Sequence, residues 1–160
     1  MERIIGFDPI VHGDDTVLIV GSMPSIESLK QAMYYANRTN RFWKILGNIF
    51  DGEYETRDQK LLLLKKGHIA LWDICHTCIR QGSMDADIKE VEPNDIKGLL
   101  TKNPSIQTIV CNGKTSLKYM KKYFPELNVV SMPSTSAANA RWSLEQLIDK
   151  YKTIWRNTDE

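Results

Sequence analysis

Short unbroken apolar runs alternate along this chain with stretches in which apolar residues recur every three or four positions. The unbroken runs are TVLIVG (16–21), HIALWDI (68–74), SIQTIVCNG (105–113) and LNVVSMP (127–133). Their length and β-branched content predict buried strands. The periodic stretches predict helices. Phe42, Ile45, Leu46, Ile49 and Phe50 share one helical face. TRDQKLLLLKKG (56–67) ends on Gly67 with two lysines in its last turn. EPNDIKGLLTKN (92–103) carries Pro93 near its start, and KTSLKYMKKYF (114–124) is stopped by Pro125. The stretch 141–155 places Leu144, Leu147, Ile148, Tyr151 and Trp155 on one stripe.

Strands that alternate with helices, joined by right-handed crossovers, predict an α/β fold. The expected form is a three-layer α/β/α sandwich around a central, mainly parallel four-stranded sheet, built as a single domain over residues 1–160. The last residues, 156–160, are expected to fray.

Composition narrows the setting without naming a chemistry. The 160 residues are 42% apolar and 26% charged, with a formal net charge of +1. That balance excludes a polybasic tail but permits a small local binding site. The three cysteines, Cys75, Cys78 and Cys111, are too few for a disulfide framework and fit a reducing interior. The N-terminal residues show no secretory pattern, and no run approaches the roughly 18 apolar residues of a membrane span. A cytoplasmic protein with no membrane contact is therefore expected.

In such folds ligands bind beyond the carboxyl ends of the strands. The residues there are GSMPS (21–25), DICHTC (73–78), NGKTS (112–116) and PSTSAANA (133–140). Gly21 permits close approach of a ligand to the backbone. Ser134, Thr135 and Ser136 either hold a phosphate or cap the next helix. CHTC has too few companion ligands for zinc, so buried thiols are the better reading and no metal is expected. Asp73 either serves catalysis or caps the following loop. Asn112 is either a turn residue or an amide that reads a ligand edge. Tyr34 and Tyr35 are either core or a stacking platform.

Taken together, these segments resemble the uracil-DNA glycosylase superfamily, and most closely its hypoxanthine-DNA glycosylase branch. The branch carries G-S-M-P-G after the first strand, then Y-Y-A-H-P-x-N-x-F-W, W-D with a later G-S-L-D-S, N-G, and P-S-T-S-P-A-N-A. Here the matching segments are 21–25, 34–43, 72–73 with 82–86, 112–113 and 133–140, in the same order and over nearly the whole chain. The departures are Ser25 for Gly, Asn37 and Arg38 for His and Pro, and Ala137 for Pro. Met23 and Met132 stand where relatives carry polar groups that help activate water.

The resemblance implies a monomer that acts on DNA containing deaminated bases, without a cofactor. It hydrolyses the N-glycosidic bond of a flipped base and leaves an abasic site. Hypoxanthine is the first expected substrate, followed by uracil or xanthine. Asn40 is implied to position water or the leaving base, with Ser22 beside it. Gly21, Tyr35 and Asn112 are implied to bind the base. Ser25, Ser134, Thr135, Ser136 and Arg141 are implied to meet phosphate, as are Arg38 and Arg41. Lys114, Lys118, Lys121 and Lys122 would add a basic helix. No lysine matches a Schiff-base role, so a monofunctional enzyme is expected. The alternative is a nucleic-acid binder of the same fold whose catalysis was lost with Met23 and Met132.

Overall fold

The computed structural model describes residues 2–156. Of the expected fraying end, Arg156 closes a helix and the rest lies outside the described residues. In chain order the elements are β1 (Ile4–Ile5), β2 (Val17–Gly21), α1 (Ile26–Gln31), α2 (Phe42–Phe50), α3 (Arg57–Gly67), β3 (Ile69–Asp73), β4 (Cys75–Ile79), a 3-10 turn (Asp85–Asp87), β5 (Lys89–Pro93), α4 (Ile96–Lys102), β6 (Thr108–Asn112), α5 (Lys114–Tyr123), β7 (Val130–Met132) and α6 (Leu144–Arg156).

The central sheet has four strands in the order β3-β2-β6-β7, and every pairing is parallel. This is the expected sheet. Successive residues of β2 face opposite sides, so its apolar run serves two cores. Val17 and Ile19 pack with α2, α3 and α6, whereas Leu18 and Val20 pack toward α4 and α5. The apolar face of α6 closes the first core through the buried Leu147 and Tyr151.

Three local expectations are revised. The helix after Pro93 starts later, at Ile96, where the Asp95 side chain caps the Gly98 N–H at 3.0 Å; Pro93 itself ends β5. CHTC is a strand rather than a loop. As β4 it joins β1 and β5 in an antiparallel side sheet that shields the second core. All three cysteines are buried free thiols, and among the described residues no cluster of metal-ligating side chains forms. The long connection 22–41 contains a short helix, α1, whose N-cap is Ser25.

Parallel register brings the strand ends together. Gly21 of β2 lies beside Asp73 of β3, and Asn112 of β6 beside Met132 of β7. One rim of the sheet therefore carries Gly21, Asp73, Asn112 and the loop after Met132.

Candidate active site

Asn112 is the hinge of the rim. The backbone N–H of Thr135 donates to its Oδ1 at 3.1 Å, which fixes which end of the carboxamide is oxygen. The Tyr151 hydroxyl donates to the Pro133 carbonyl at 2.7 Å and lies 3.2 Å from the same Asn112 oxygen. The Asn112 NH2 donates to Thr135 Oγ1 at 3.1 Å, and that hydroxyl donates onward to Asn40 Oδ1 at 2.8 Å. Asn40 Oδ1 also accepts the Phe42 N–H at 3.0 Å, at the start of α2. The chain Asn112–Thr135–Asn40 thus occupies the Asn40 oxygen from two sides. Its NH2 is the end left to act on a ligand.

These bonds bear on two expected roles. Asn112 spends its oxygen and one N–H on Thr135, which leaves its second N–H, near the Tyr35 hydroxyl, for a base edge. Thr135 is only 1% exposed, and its N–H and hydroxyl are spent within the protein, so it pins the loop instead of meeting phosphate. Gly113 makes the turn possible: its φ of 96° suits glycine, and a Cβ there would lie 3.1 Å from that of Ser134.

Arg41 is also reassigned. Its guanidinium donates to the carbonyls of Thr135 (3.3 Å), Ser136 (2.8 Å), Asn139 (3.1 Å) and Trp142, and its own N–H donates to Thr135 O at 3.0 Å. It clamps the loop after β7 and has no free fork for DNA. Within that loop Ser134 Oγ accepts from the Ser136 N–H and Ser136 Oγ from the Ala138 N–H, each at 3.2 Å. Both hydroxyls keep their protons for another acceptor. Ser25 is spent as the α1 cap. Arg38 and Arg141 are exposed. Lys114 sits at the rim, whereas Lys121 and Lys122 lie roughly 11 Å farther along α5 at 1.5 Å per residue.

On the other side of the rim stand Gly21, Tyr35 and Asp73. A Cβ on Gly21 would fall 2.4 Å from Asp73 Oδ1 and 2.9 Å from the Tyr35 hydroxyl oxygen, so glycine is what lets both groups crowd the strand end. Tyr35 adopts φ +53°, unusual for an aromatic residue. Its ring stacks on Phe42 with centroids 4.2 Å apart. Trp43 holds the segment from beneath by donating to Tyr34 O at 2.9 Å. Strained backbone of this kind is retained where the surroundings impose it, often at functional sites.

Asp73 is 4% exposed, and its Oδ2 has no hydrogen-bond partner among the described residues. Burial, followed by the nearby Asp85 carboxylate, pushes its pKa up to about 7 against the opposing Arg80 charge. Burial and Asp73 together hold the Tyr35 hydroxyl well above the ordinary tyrosine range. The Tyr35 hydroxyl oxygen is also enclosed; the Asn112 side chain is near enough to offset part of that shift but makes no well-formed hydrogen bond to it.

The sequence singled out residues 82–86 by resemblance but gave no role to the segment 80–85, which walls this corner. Ser22 Oγ donates to Asp85 Oδ1 at 2.7 Å, and the Ile26 N–H donates to Ser83 Oγ at 2.9 Å. Arg80, 4% exposed, donates to Gly82 O and Pro24 O, each at 2.7 Å. Residues 80–85 are thereby bolted onto the first loop. The one available signal was the G-S-M-D-A stretch itself, which shows no partner by sequence. Met23 and Met132 are buried core residues and contribute no polar group. Two described clefts, one beside Arg3 and Glu92 and one beside Phe7 and Arg57, are lined by none of Gly21, Tyr35, Asp73 and Asn112.

Comparison with known proteins places this architecture. Residues 9–157 match the uracil DNA glycosylase superfamily. A hypoxanthine DNA glycosylase of Methanosarcina acetivorans is 36% identical over 146 residues, covering 86% of this chain and 89% of the relative. One from Methanosarcina barkeri is 33% identical over 116 residues, covering 71% and 73% respectively. A solution NMR structure of a Methanosarcina acetivorans protein, whose name places it with the uracil DNA glycosylases, superposes with a TM-score of 0.83 at 29% identity. It covers 99% of this chain and 100% of its own.

Proposed function

This chain belongs to the uracil DNA glycosylase superfamily, and on that premise we propose that it is a monofunctional DNA N-glycosylase that removes deaminated bases, hypoxanthine first. The observation that carries the substrate choice is the likeness to hypoxanthine DNA glycosylases along most of the chain. The rim supplies a mechanism. A base must leave the stack before its glycosidic bond can be reached. As that bond breaks, C1′ gains oxocarbenium character and the base departs with negative charge. Donors already aimed at the base lower this barrier.

Asn40 is the leading donor. Its oxygen is held by Thr135 and Phe42, so it acts through its NH2, on the departing base or on the oxygen of the attacking water. Ser22 and Gly21 supply the backbone that borders the base, and Tyr35 supplies the ring against which it rests. Ser134, Ser136 and Arg141 carry the flanking phosphates. Water is the nucleophile, so borohydride traps no protein–DNA adduct, and EDTA leaves excision intact. The protein works as a monomer in the cytoplasm, where three free thiols remain reduced.

The test uses oligonucleotides with a single deoxyinosine, deoxyuridine or deoxyxanthosine, followed by alkali. Multiple-turnover strand breakage at deoxyinosine is the expected result. Binding without breakage on all three would favour the inactive binder.

A further inference from the structure

Among the described residues, three buried polar atoms lack a hydrogen-bond partner, and they belong to Tyr35, Asp73 and Arg80. All three residues belong to one neighbourhood, since Asp73 interacts electrostatically with both of the others. Buried polar atoms are almost always paired, so a cluster of orphans calls for an explanation.

Accepting the glycosylase reading above, we propose that Asp73 works as its neutral carboxylic acid, donating a hydrogen bond from Oδ2 to the carbonyl edge of the flipped deaminated base. Deamination is the step that puts a carbonyl where an amine stood. A carbonyl oxygen needs a donor, and an ionised carboxylate offers only acceptors. The departing base also gains negative charge, which a proton donor stabilises and an anion opposes.

The geometry keeps Asp73 neutral. Its carboxyl lies at the end of β3 in register with Gly21, close enough that a Cβ there would strike Oδ1. Among the described residues it forms no salt bridge. Arg80, the cation nearby, directs its Nε and Nη2 to the carbonyls of Gly82 and Pro24 instead. A buried carboxylate without an ion pair is costly and takes up a proton instead. The groups that face Asp73 are Tyr35 and Tyr34 from the segment before α2, Cys75 from β4, and Arg80 and Asp85 from residues 80–85. Burial holds both tyrosines and Cys75 above their ordinary ranges, so they stay neutral. Asp85 opposes ionisation of Asp73, and Arg80 partly offsets it. The orphan atoms are enclosed in the free protein, so an entering base must displace a covering side chain. Tyr35, half-buried and strained at its backbone, must shift to admit the base and then lies against it.

The experiment is the pH profile of single-turnover deoxyinosine excision by the full chain and by Asp73→Asn. Wild type should lose rate above about pH 7, approaching ten-fold per unit. Asparagine keeps an N–H donor and cannot ionise. Asp73→Asn should therefore stay within about ten-fold of wild type near neutrality and lose the alkaline fall. A rate that rises through pH 7 in wild type would mean that Asp73 acts as a base, and the inference would be wrong. A folded but inactive Asp73→Asn, or one that retains the alkaline fall, would also overturn it. Should Asp73→Asn fail to fold, Asp85→Asn provides the second arm: losing that neighbouring charge must move the alkaline fall to lower pH, and an unmoved profile rejects the proposal. Absence of excision by wild type at every pH, on deoxyinosine, deoxyuridine and deoxyxanthosine alike, would instead sink the glycosylase reading on which this one rests.

Discussion

Replacing Gly21 with alanine tests how tightly the rim is built. The new Cβ would lie 2.4 Å from Asp73 Oδ1, 3.6 Å from Asp73 Cγ and 2.9 Å from the Tyr35 hydroxyl oxygen. An unstrained carbon–oxygen contact is ~3.3 Å, so Oδ1 must retreat by roughly 0.9 Å. Asp73 Cγ is already at contact distance, so the carboxyl has to swing rather than slide. Its side chain is short and buried, and the Tyr35 ring is backed by Phe42, which leaves little room for either. Overpacking of this kind costs about 1–3 kcal/mol. Displacement of a catalytic group by about 1 Å costs roughly a hundred-fold in rate. Urea denaturation should show a lower midpoint with an unchanged slope, and single-turnover excision of deoxyinosine should fall by about that factor. The double variant Gly21→Ala with Asp73→Ala removes the struck oxygen. The Tyr35 hydroxyl would remain 2.9 Å from the new Cβ, so the penalty measured against Asp73→Ala alone should shrink without vanishing, and rate should not recover. A Gly21→Ala protein as stable as wild type, with excision within about three-fold, would show that the rim has room to spare.

Four further outcomes are expected. Asn40→Asp keeps the oxygen held by Thr135 and Phe42 but removes the NH2 donor, so excision should fall ~10²–10³-fold with the domain folded; unchanged single-turnover rates would clear Asn40 of a role. Arg41→Lys should destabilise by about 1–3 kcal/mol through lost carbonyl contacts and leave the salt dependence of DNA binding unaltered. Arg141→Ala should instead reduce the magnitude of that slope by about 0.9 for one lost duplex phosphate contact, as read from binding isotherms across a salt series. Asp73 binds its proton more tightly folded than unfolded, so between about pH 4 and pH 7 the native state holds more protons and stability falls as pH rises. The stability gap favouring Asp73→Asn should open across that window, by at most roughly 4 kcal/mol at 1.36 kcal/mol per unit, and a gap independent of pH in denaturation curves would contradict the shift.

The four parallel strands and their helices were legible because their signals are local. An apolar run such as TVLIVG, or a stripe such as Leu147 and Tyr151, declares its period without reference to the rest of the chain. Gly21, Asp73 and Asn112 could be placed on one rim for the same reason, since parallel strands end together. The side sheet left little trace: β1 is two residues long and pairs Ile4 with Cys78, a partner chosen only once the chain has folded.

The polar roles at the rim divide in the same way. By itself, the sequence determined which residue types reach the strand ends. Whether Arg41 meets a phosphate or the carbonyls of Thr135, Ser136, Asn139 and Trp142 depends on a loop more than ninety residues away. Whether Asn112 reads a base or holds Thr135 depends on the same convergence. Hydrogen-bond partners and buried charge are properties of neighbours in space. Only the tertiary structure, by setting β2 between β3 and β6 and folding residues 80–85 over the first loop, decided that Asp73 would be left buried and unpaired while Asn112 was tied to Thr135.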